Sequence, residues 1–417
     1  MRCKARMILL ATVAFGVWAG AAEKVLAQEA PTRVILIIGD GAGAGYWTAA
    51  GFAADDLAVA HLPVGGLVDT RNADDKVTDS AASGTAYSTG VRTYNGAIAV
   101  GPDGEPVATI VETAKRLGLA TGLVATSSIT HATPAAFASH VPDRYMEWEI
   151  ARQLADAGVD VMLAGGRRWF DPNQRPDSLD LISGLRDRYT YIRTPAELAE
   201  LETGAVRRLL GLFAEDYLPA APGRNPTLSA MTRTALQVLD HDPDGFFLMV
   251  EGSQPDWRGH DNDPLAAITA EMLDLDRAVG AALEYQARNP ETLIVVTADH
   301  ETGGLAVQQA GVGRLLTRAA TAADSTLFQL AAARGAMDRD LTAAADSASW
   351  YLERLSRLLR EKAELMGDSS VLIARYTSGN HTADMVPLFA SGPGAERFGG
   401  IKENWQVGQL LMDAVGR

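Results

Sequence analysis

Three apolar runs of strand length lead into an acid. Arg33–Ile38 (RVILII) leads through Gly39 into Asp40, Phe246–Val250 (FFLMV) runs into Glu251, and Leu293–Thr297 (LIVVT) leads through Ala298 into Asp299 and His300. One acid after a strand is an ordinary turn cap. Three, one with a histidine attached, point to a convergent metal site, since zinc accepts imidazole and carboxylate together and harder cations accept oxygen. In EGSQPDWRGHD (251–261), Asp256 and His260 stand four apart, a spacing that places both on one helical face or turn. A polar loop with a helix cap is the alternative there. Gly379-Asn380-His381-Thr382 adds a histidine before the apolar run VPLFA, and alone it reads as a hydrogen-bonded structural residue. Of seven histidines, four (His131, His260, His300 and His381) fall in such Gly/Asp/Thr-rich loops. His61, His140 and His241 lack that company and read as structural.

VTDSAASGTAYSTG (77–90) offers a nucleophile. Ser80 follows Asp79 and opens a helix of small residues, where unpaired N–H groups suit an anion such as phosphate. A cation that lowers the hydroxyl pKa removes the need for a neighbouring base. A plain serine N-cap is the competing reading. THATPAAFASHVPDR (130–144) carries His131, Thr133 and Arg144. Thr133 can ligate a hard cation through its hydroxyl. Arg144 can hold two oxygens of a tetrahedral anion through its planar fork, or form a surface salt bridge. Gly39-Asp40-Gly41-Ala42-Gly43-Ala44 formally fits a dinucleotide-binding fingerprint. Asp40 would then repel a pyrophosphate, and no second strand with a ribose-binding acid follows at the required spacing.

Positioning these groups is the task of strands. Besides the three above, strand-length runs stand at Gly66–Asp69, Ala120–Ala125, Val159–Ala164 and Val386–Ala390. They are continuous rather than alternating, as strands covered on both faces should be. Helical patterns lie between them at Ala81–Thr89, Val107–Leu117, Met146–Ala157, Leu228–Leu239 and Pro264–Arg288. The alternation predicts a doubly wound α/β fold, a mostly parallel central sheet with helices on both faces, whose ligands bind at the carboxyl ends of the strands. Residues 305–376 break the pattern. Asp324–Met337 and Ala345–Met366 are helical in composition, which predicts an insertion seated on the sheet rather than a second domain.

The chain has 417 residues and a net charge of −15, which argues against binding nucleic acid or anionic lipid and requires a local positive centre for any anionic substrate. Arg2, Lys4 and Arg6 precede an apolar stretch, Met7–Ala22, and Val25-Leu26-Ala27 fits a small-x-small cleavage pattern. Residues 1–27 therefore read as a signal peptide, with a periplasmic or secreted protein from residue 28 to 417 and no membrane span after cleavage; a membrane anchor is the alternative. Cleavage removes four bases and one acid, so the remaining chain is more acidic still. It also removes Cys3, the only cysteine, which excludes thiolate metal sites and cysteine nucleophiles from the mature protein.

Taken in order, IIGDGAG, VTDSAASGTA, THATPAAFASHVPDR, VEGSQPDWRGH, VTADHETGG and GNHTADM resemble the motifs of the alkaline phosphatase family, metal-dependent phosphomonoesterases. The resemblance spans about Val34 to Gly392. It implies that Ser80 is the nucleophile that becomes phosphoserine and that Asp79 positions Arg144, which grips the phosphoryl oxygens. It implies one zinc on Asp40, Asp299 and His300, and a second on Asp256, His260 and His381. It implies a third metal, usually magnesium, on Asp40, Thr133 and Glu251. His131 stands where some members have Asp, and Trp257 where others have Lys or His, so the third metal can be zinc or cobalt instead. The family is usually dimeric, so a homodimer is expected, with residues 305–376 as a crown over the site or the interface. The substrates implied are phosphate monoesters, with inorganic phosphate as product. Two rivals stand beside this reading: a phosphodiesterase of the same superfamily, and a non-catalytic exported metal or phosphate binder. The clamp at Arg144 argues against the first, and Ser80 with the full ligand set against the second.

Overall fold

The computed structural model describes residues 31–311 and 370–416. The predicted signal peptide and the helical patterns Asp324–Met337 and Ala345–Met366 lie outside the described residues. The strands are β1 (Arg33–Gly39), β2 (Val64–Asp69), β3 (Ala120–Ser128), β4 (Val161–Gly165), β5 (Thr190–Ile192), β6 (Leu209–Leu212), β7 (Phe246–Gly252), β8 (Thr292–Thr297), β9 (Glu301–Thr302), β10 (Ala306–Gly311), β11 (Ser370–Arg375), β12 (His381–Thr382), β13 (Val386–Ser391) and β14 (Gly400–Glu403).

Ten of them form one sheet in the order β14-β2-β13-β8-β1-β7-β3-β4-β6-β5. All seven sequence-predicted strands lie in it. β13 alone runs against the rest, being antiparallel to both β8 and β2. Every residue of β3, β7 and β8 is buried, and all of β1 after Arg33. Successive side chains point to opposite faces, so both faces are covered. The covering helices are chiefly Ala44–Gly51, Ser80–Thr89, Ile110–Arg116, Glu147–Ala157, Leu228–Leu239, Leu265–Gln286 and Asn404–Val415. The ends of the predicted insertion pair as the antiparallel ribbon β10–β11.

Register aligns the functional edge. Ile38 of β1 stands opposite Glu251 of β7 and Thr297 of β8, and Ala125 of β3 also stands opposite Glu251. Asp40, the 131–133 segment, Glu251 and Asp299 thus emerge from four neighbouring strands at one carboxyl edge. The reversal of β13 brings its amino end to that same edge, and His381 lies just before it. Asp40 itself is tied down by its N–H, which donates to the Gly252 carbonyl at 3.0 Å.

Candidate metal centre and nucleophile

The turn after β1 is built around Gly41, whose φ of +69° is the left-handed region. A Cβ there would stand 2.7 Å from both the Asp256 Cα and the Thr302 Oγ1, so only glycine lets the two loops approach. This turn supplies no phosphate cradle of the dinucleotide kind; it delivers Asp40, fully buried, into a cluster of acids.

The Asp40 carboxylate has no hydrogen-bond partner on either oxygen. Asp299, also fully buried, accepts from the Gly41 N–H at 3.1 Å and its neighbour's N–H at 3.0 Å through Oδ1, while Oδ2 has none. His300 Nε2 stands 3.5 Å from Asp40 Oδ1 and 3.4 Å from Asp299 Oδ2. Buried carboxylate oxygens without donors are costly unless a cation answers them. Burial, then the charge of Asp299, pushes the Asp40 pKa well up, and burial with Asp256 raises that of Asp299. The donor set fits zinc: two carboxylates and an imidazole nitrogen, converging.

A second set adjoins it on the short helix Gln254–His260, where Asp256 and His260 do share a face. His260 Nε2 lies 3.3 Å and His381 Nε2 3.6 Å from Asp256 Oδ1, and the two Nε2 atoms are 3.2 Å apart. His260 Nδ1 donates to the Gly379 carbonyl at 2.7 Å, and His381 Nδ1 to the Thr78 carbonyl at 2.8 Å. Each outer hydrogen bond turns the ring so that Nε2 faces inward, the arrangement metal-ligating histidines use. The hydrogen bond to Asp256 pushes the His260 pKa up to about 9. Burial opposes charge on Asp256, but His260 and the other imidazoles hold it below the usual carboxylate range. The His300 and His381 rings stack with centroids 3.5 Å apart, which joins the two sets.

A third set is oxygen-rich. Ring or carboxylate atoms of Asp40, His131 and Glu251 lie within 4.8 Å of one another. Glu251 lies inside β7 rather than after it, fully buried; burial raises its pKa although Ser253 and Ser127 donate to its Oε2 at 2.7 and 3.2 Å. Its Oε1 has no partner. Thr133 is fully buried, and its hydroxyl, like Glu251 Oε1, has no hydrogen-bond partner.

Ser80 is the first residue of a helix whose ten residues are all buried. Asp79 is the N-cap and accepts from the Ala82 N–H at 2.9 Å, so the cap is Asp79 and the Ser80 hydroxyl is left to face the site. Its Oγ lies 3.2 Å from His300 Nε2. Asp79 Oδ2 also accepts from the Gly96 N–H and from Arg144 Nη1, each at 3.1 Å. The other arm of Arg144, Nη2, donates to His131 Nε2 at 3.3 Å. Burial, followed by the Arg144 charge, lowers the His131 pKa to about 3, so this imidazole is neutral. The Trp257 ring stands 6.3 Å from that of His131 and 4.8 Å from that of Tyr217.

The structure therefore brings together Asp40, Ser80, His131, Thr133, Glu251, Asp256, His260, Asp299, His300 and His381, with Asp79 and Arg144 beside Ser80 and Trp257 against His131. Two neighbours escaped the reading of motifs. Thr302 hydrogen-bonds both His300 and Asp256; its i+2 spacing from His300 in an extended segment was the available signal. Tyr217, half exposed, has no motif to mark it.

Four strand ends, a reversed strand and the imidazole–carboxylate sets on them define a metal-dependent hydrolase. Residues 32–416 match the family model described as alkaline phosphatase. The chain is 37% identical over 424 residues to alkaline phosphatase 3 of Bacillus subtilis, covering 93% of this chain and 90% of that one. The solved structure of alkaline phosphatase from the Antarctic bacterium TAB5 superposes with a TM-score of 0.74 at 32% identity, covering 93% and 99% of the two chains. A structure of a TAB5 variant with a histidine replaced by aspartate, with Mg bound in the M3 site, matches equally well (TM-score 0.74, 32% identity, 93% and 98% coverage). The chain belongs to the alkaline phosphatase family and is a metal-dependent phosphomonoesterase.

Proposed function

We propose that this is an exported enzyme that hydrolyses phosphate monoesters through a phosphoserine at Ser80. The observation that supports it most directly is the placement of the Ser80 hydroxyl. It lies at a helix N-terminus, against His300 and one residue from the Asp79 that holds Arg144. In this reading Asp40, Asp299 and His300 hold one zinc, Asp256, His260 and His381 hold another, and Asp40, Thr133 and Glu251 hold the third cation. Bound cations at these positions supply Lewis acidity to the entering and leaving oxygens and offset the acids around them. The protein's own part is to hold Ser80 Oγ at the helix N-terminus beside His300, to clamp two phosphoryl oxygens with Arg144, and to keep His131 neutral beside that clamp.

The TAB5 variant in which a histidine is replaced by aspartate holds Mg in its M3 site, and we read His131, beside Asp40 and Glu251, as the histidine of the third site here. The basic start and apolar stretch of residues 1–27 support export, and among the described residues no helix is long and apolar enough to cross a membrane. Residues 305–376 are read as the crown of a homodimer. Ser80→Ala decides the intermediate: after incubation with radiolabelled phosphate and acid quench, wild type should retain label and Ser80→Ala should not. Equal labelling would remove Ser80 from its role.

A further inference from the structure

The Thr302 hydroxyl touches both zinc-type ligand sets. It donates to Asp256 Oδ1, and because its single proton is committed there, His300 Nδ1 at 3.2 Å must be the donor to Oγ1. This fixes the His300 tautomer. Nδ1 carries the proton, and Nε2 presents its lone pair toward Asp40, Asp299 and Ser80. The backbone of Thr302 is held equally firmly. Its N–H donates to the Gly41 carbonyl at 3.2 Å, its carbonyl accepts from the buried Tyr46 hydroxyl at 2.6 Å, and it pairs across β9–β12 with His381. One hydroxyl thus orients a ligand of each set, on a backbone bridged to a third ligand.

We propose that Thr302 is a positioning residue that couples the two zinc sites, so that its hydroxyl sets the affinity of both and makes occupation of one favour the other. The physical basis is that a ligand's outer hydrogen-bond partner fixes its orientation and basicity. Here two ligands share one partner. When Asp256 is drawn into place by a cation, the Thr302 O–H is drawn with it, and its lone pair stays aimed at His300 Nδ1–H. This inference rests on the two-zinc reading above and goes beyond it.

The side chain also has a packing role that must be separated. Its γ-methyl faces Gly259, where a Cβ would stand only 2.9 Å away. Thr302→Val keeps the branched shape and removes the hydroxyl; Thr302→Ser keeps the hydroxyl and removes the methyl. The experiment titrates zinc into stripped full-length enzyme against a competing chelator, with thermal melts of the metal-free forms. Wild type should bind two zinc ions cooperatively. Thr302→Val should bind both about 10–100-fold more weakly, with cooperativity reduced and the metal-free melt close to wild type. Thr302→Ser should restore most of the affinity. Wild-type zinc affinity in Thr302→Val, or a loss in Thr302→Ser as large as in Thr302→Val, would overturn the coupling role. A wild type that binds no zinc would instead overturn the two-zinc reading beneath it.

Discussion

Arg144→Ala tests the phosphate clamp most sharply, because the structure limits what else the change can disturb. Asp79 loses Nη1 at 3.1 Å but keeps the Gly96 and Ala82 N–H groups. The cap of the Ser80 helix therefore survives, and the fold should too. What disappears is a guanidinium fork beside Ser80, with its 3.3 Å hydrogen bond to His131 Nε2. Two charge-assisted hydrogen bonds to a phosphoryl group contribute roughly 1.5–3 kcal/mol each. Their loss should lower kcat/KM for a monoester about 10²–10⁴-fold, at about 1.4 kcal/mol per decade. Inhibition by inorganic phosphate should weaken in parallel. A diester offers the fork one charged oxygen fewer, so any diesterase activity should fall by only about one such bond, on the order of 10–100-fold. Arg144→Lys retains charge without the fork and should fall between. The assay is steady-state hydrolysis of an aryl monoester and the matching diester, with phosphate inhibition constants and a thermal melt on each variant. Equal losses on both esters, or unchanged phosphate inhibition, would refute the clamp.

Four further outcomes follow from the same geometry. Chelation should abolish turnover and lower the melting temperature by on the order of 5–10 °C, since ions bound far below their ambient concentration contribute several kcal/mol; an unchanged melt would refute the coupling of metals to stability. The stripped protein should also lose stability as pH rises from about 4 to 7, because burial raises the pKa values of Asp40, Asp299 and Glu251, with neighbouring acids adding to the rise for Asp40 and Asp299, and the folded state then holds protons the unfolded chain has released; the reloaded enzyme should not. Magnesium should activate wild type poorly and His131→Asp strongly after two equivalents of zinc are restored to stripped enzyme, because carboxylate suits magnesium better than imidazole; identical titrations would refute this. Tyr217→Ala should cut kcat/KM about 2–10-fold for aryl monoesters and less for alkyl ones, as its half-exposed ring extends the Trp257 surface beside His131; equal losses would count against that role.

The chemistry of this chain was legible where short-range signals and burial agree. RVILII, FFLMV and LIVVT are too apolar to be anything but central strands, and a charged residue at the exit of such a strand has few structural uses. The edges were not legible. Thr190–Ile192 and Leu209–Leu212 are short, and Gly400–Glu403 (GIKE) is half exposed, so neither length nor hydropathy marks them. The helix Ala44–Gly51 (AGYWTAAG) has two glycines and no periodic apolar stripe, yet it buries Tyr46, whose hydroxyl holds Thr302. Thr302 itself resisted because its importance lies in two long-range contacts. Strand order is also invisible locally: nothing in VPLFA says that this strand runs backwards.

That reversal explains why the motifs are scattered along the chain. A parallel sheet collects, at its carboxyl edge, only residues that follow strands, and a ligand set drawn from that source alone approaches a cation from one side. β13 inverts the rule for one position. His381 precedes its strand and still reaches the edge, where its ring stacks on His300 and its Nε2 meets Asp256 and His260. The same edge holds Asp40, Glu251, Asp256 and Asp299, four acids that burial would discharge if nothing positive lay among them. On a chain of net charge −15, the guanidinium that stands beside Ser80, through Asp79, is Arg144. On the proposed reading, phosphate would then bind after the metals, and the cost of crowding these acids together would favour cations at the site.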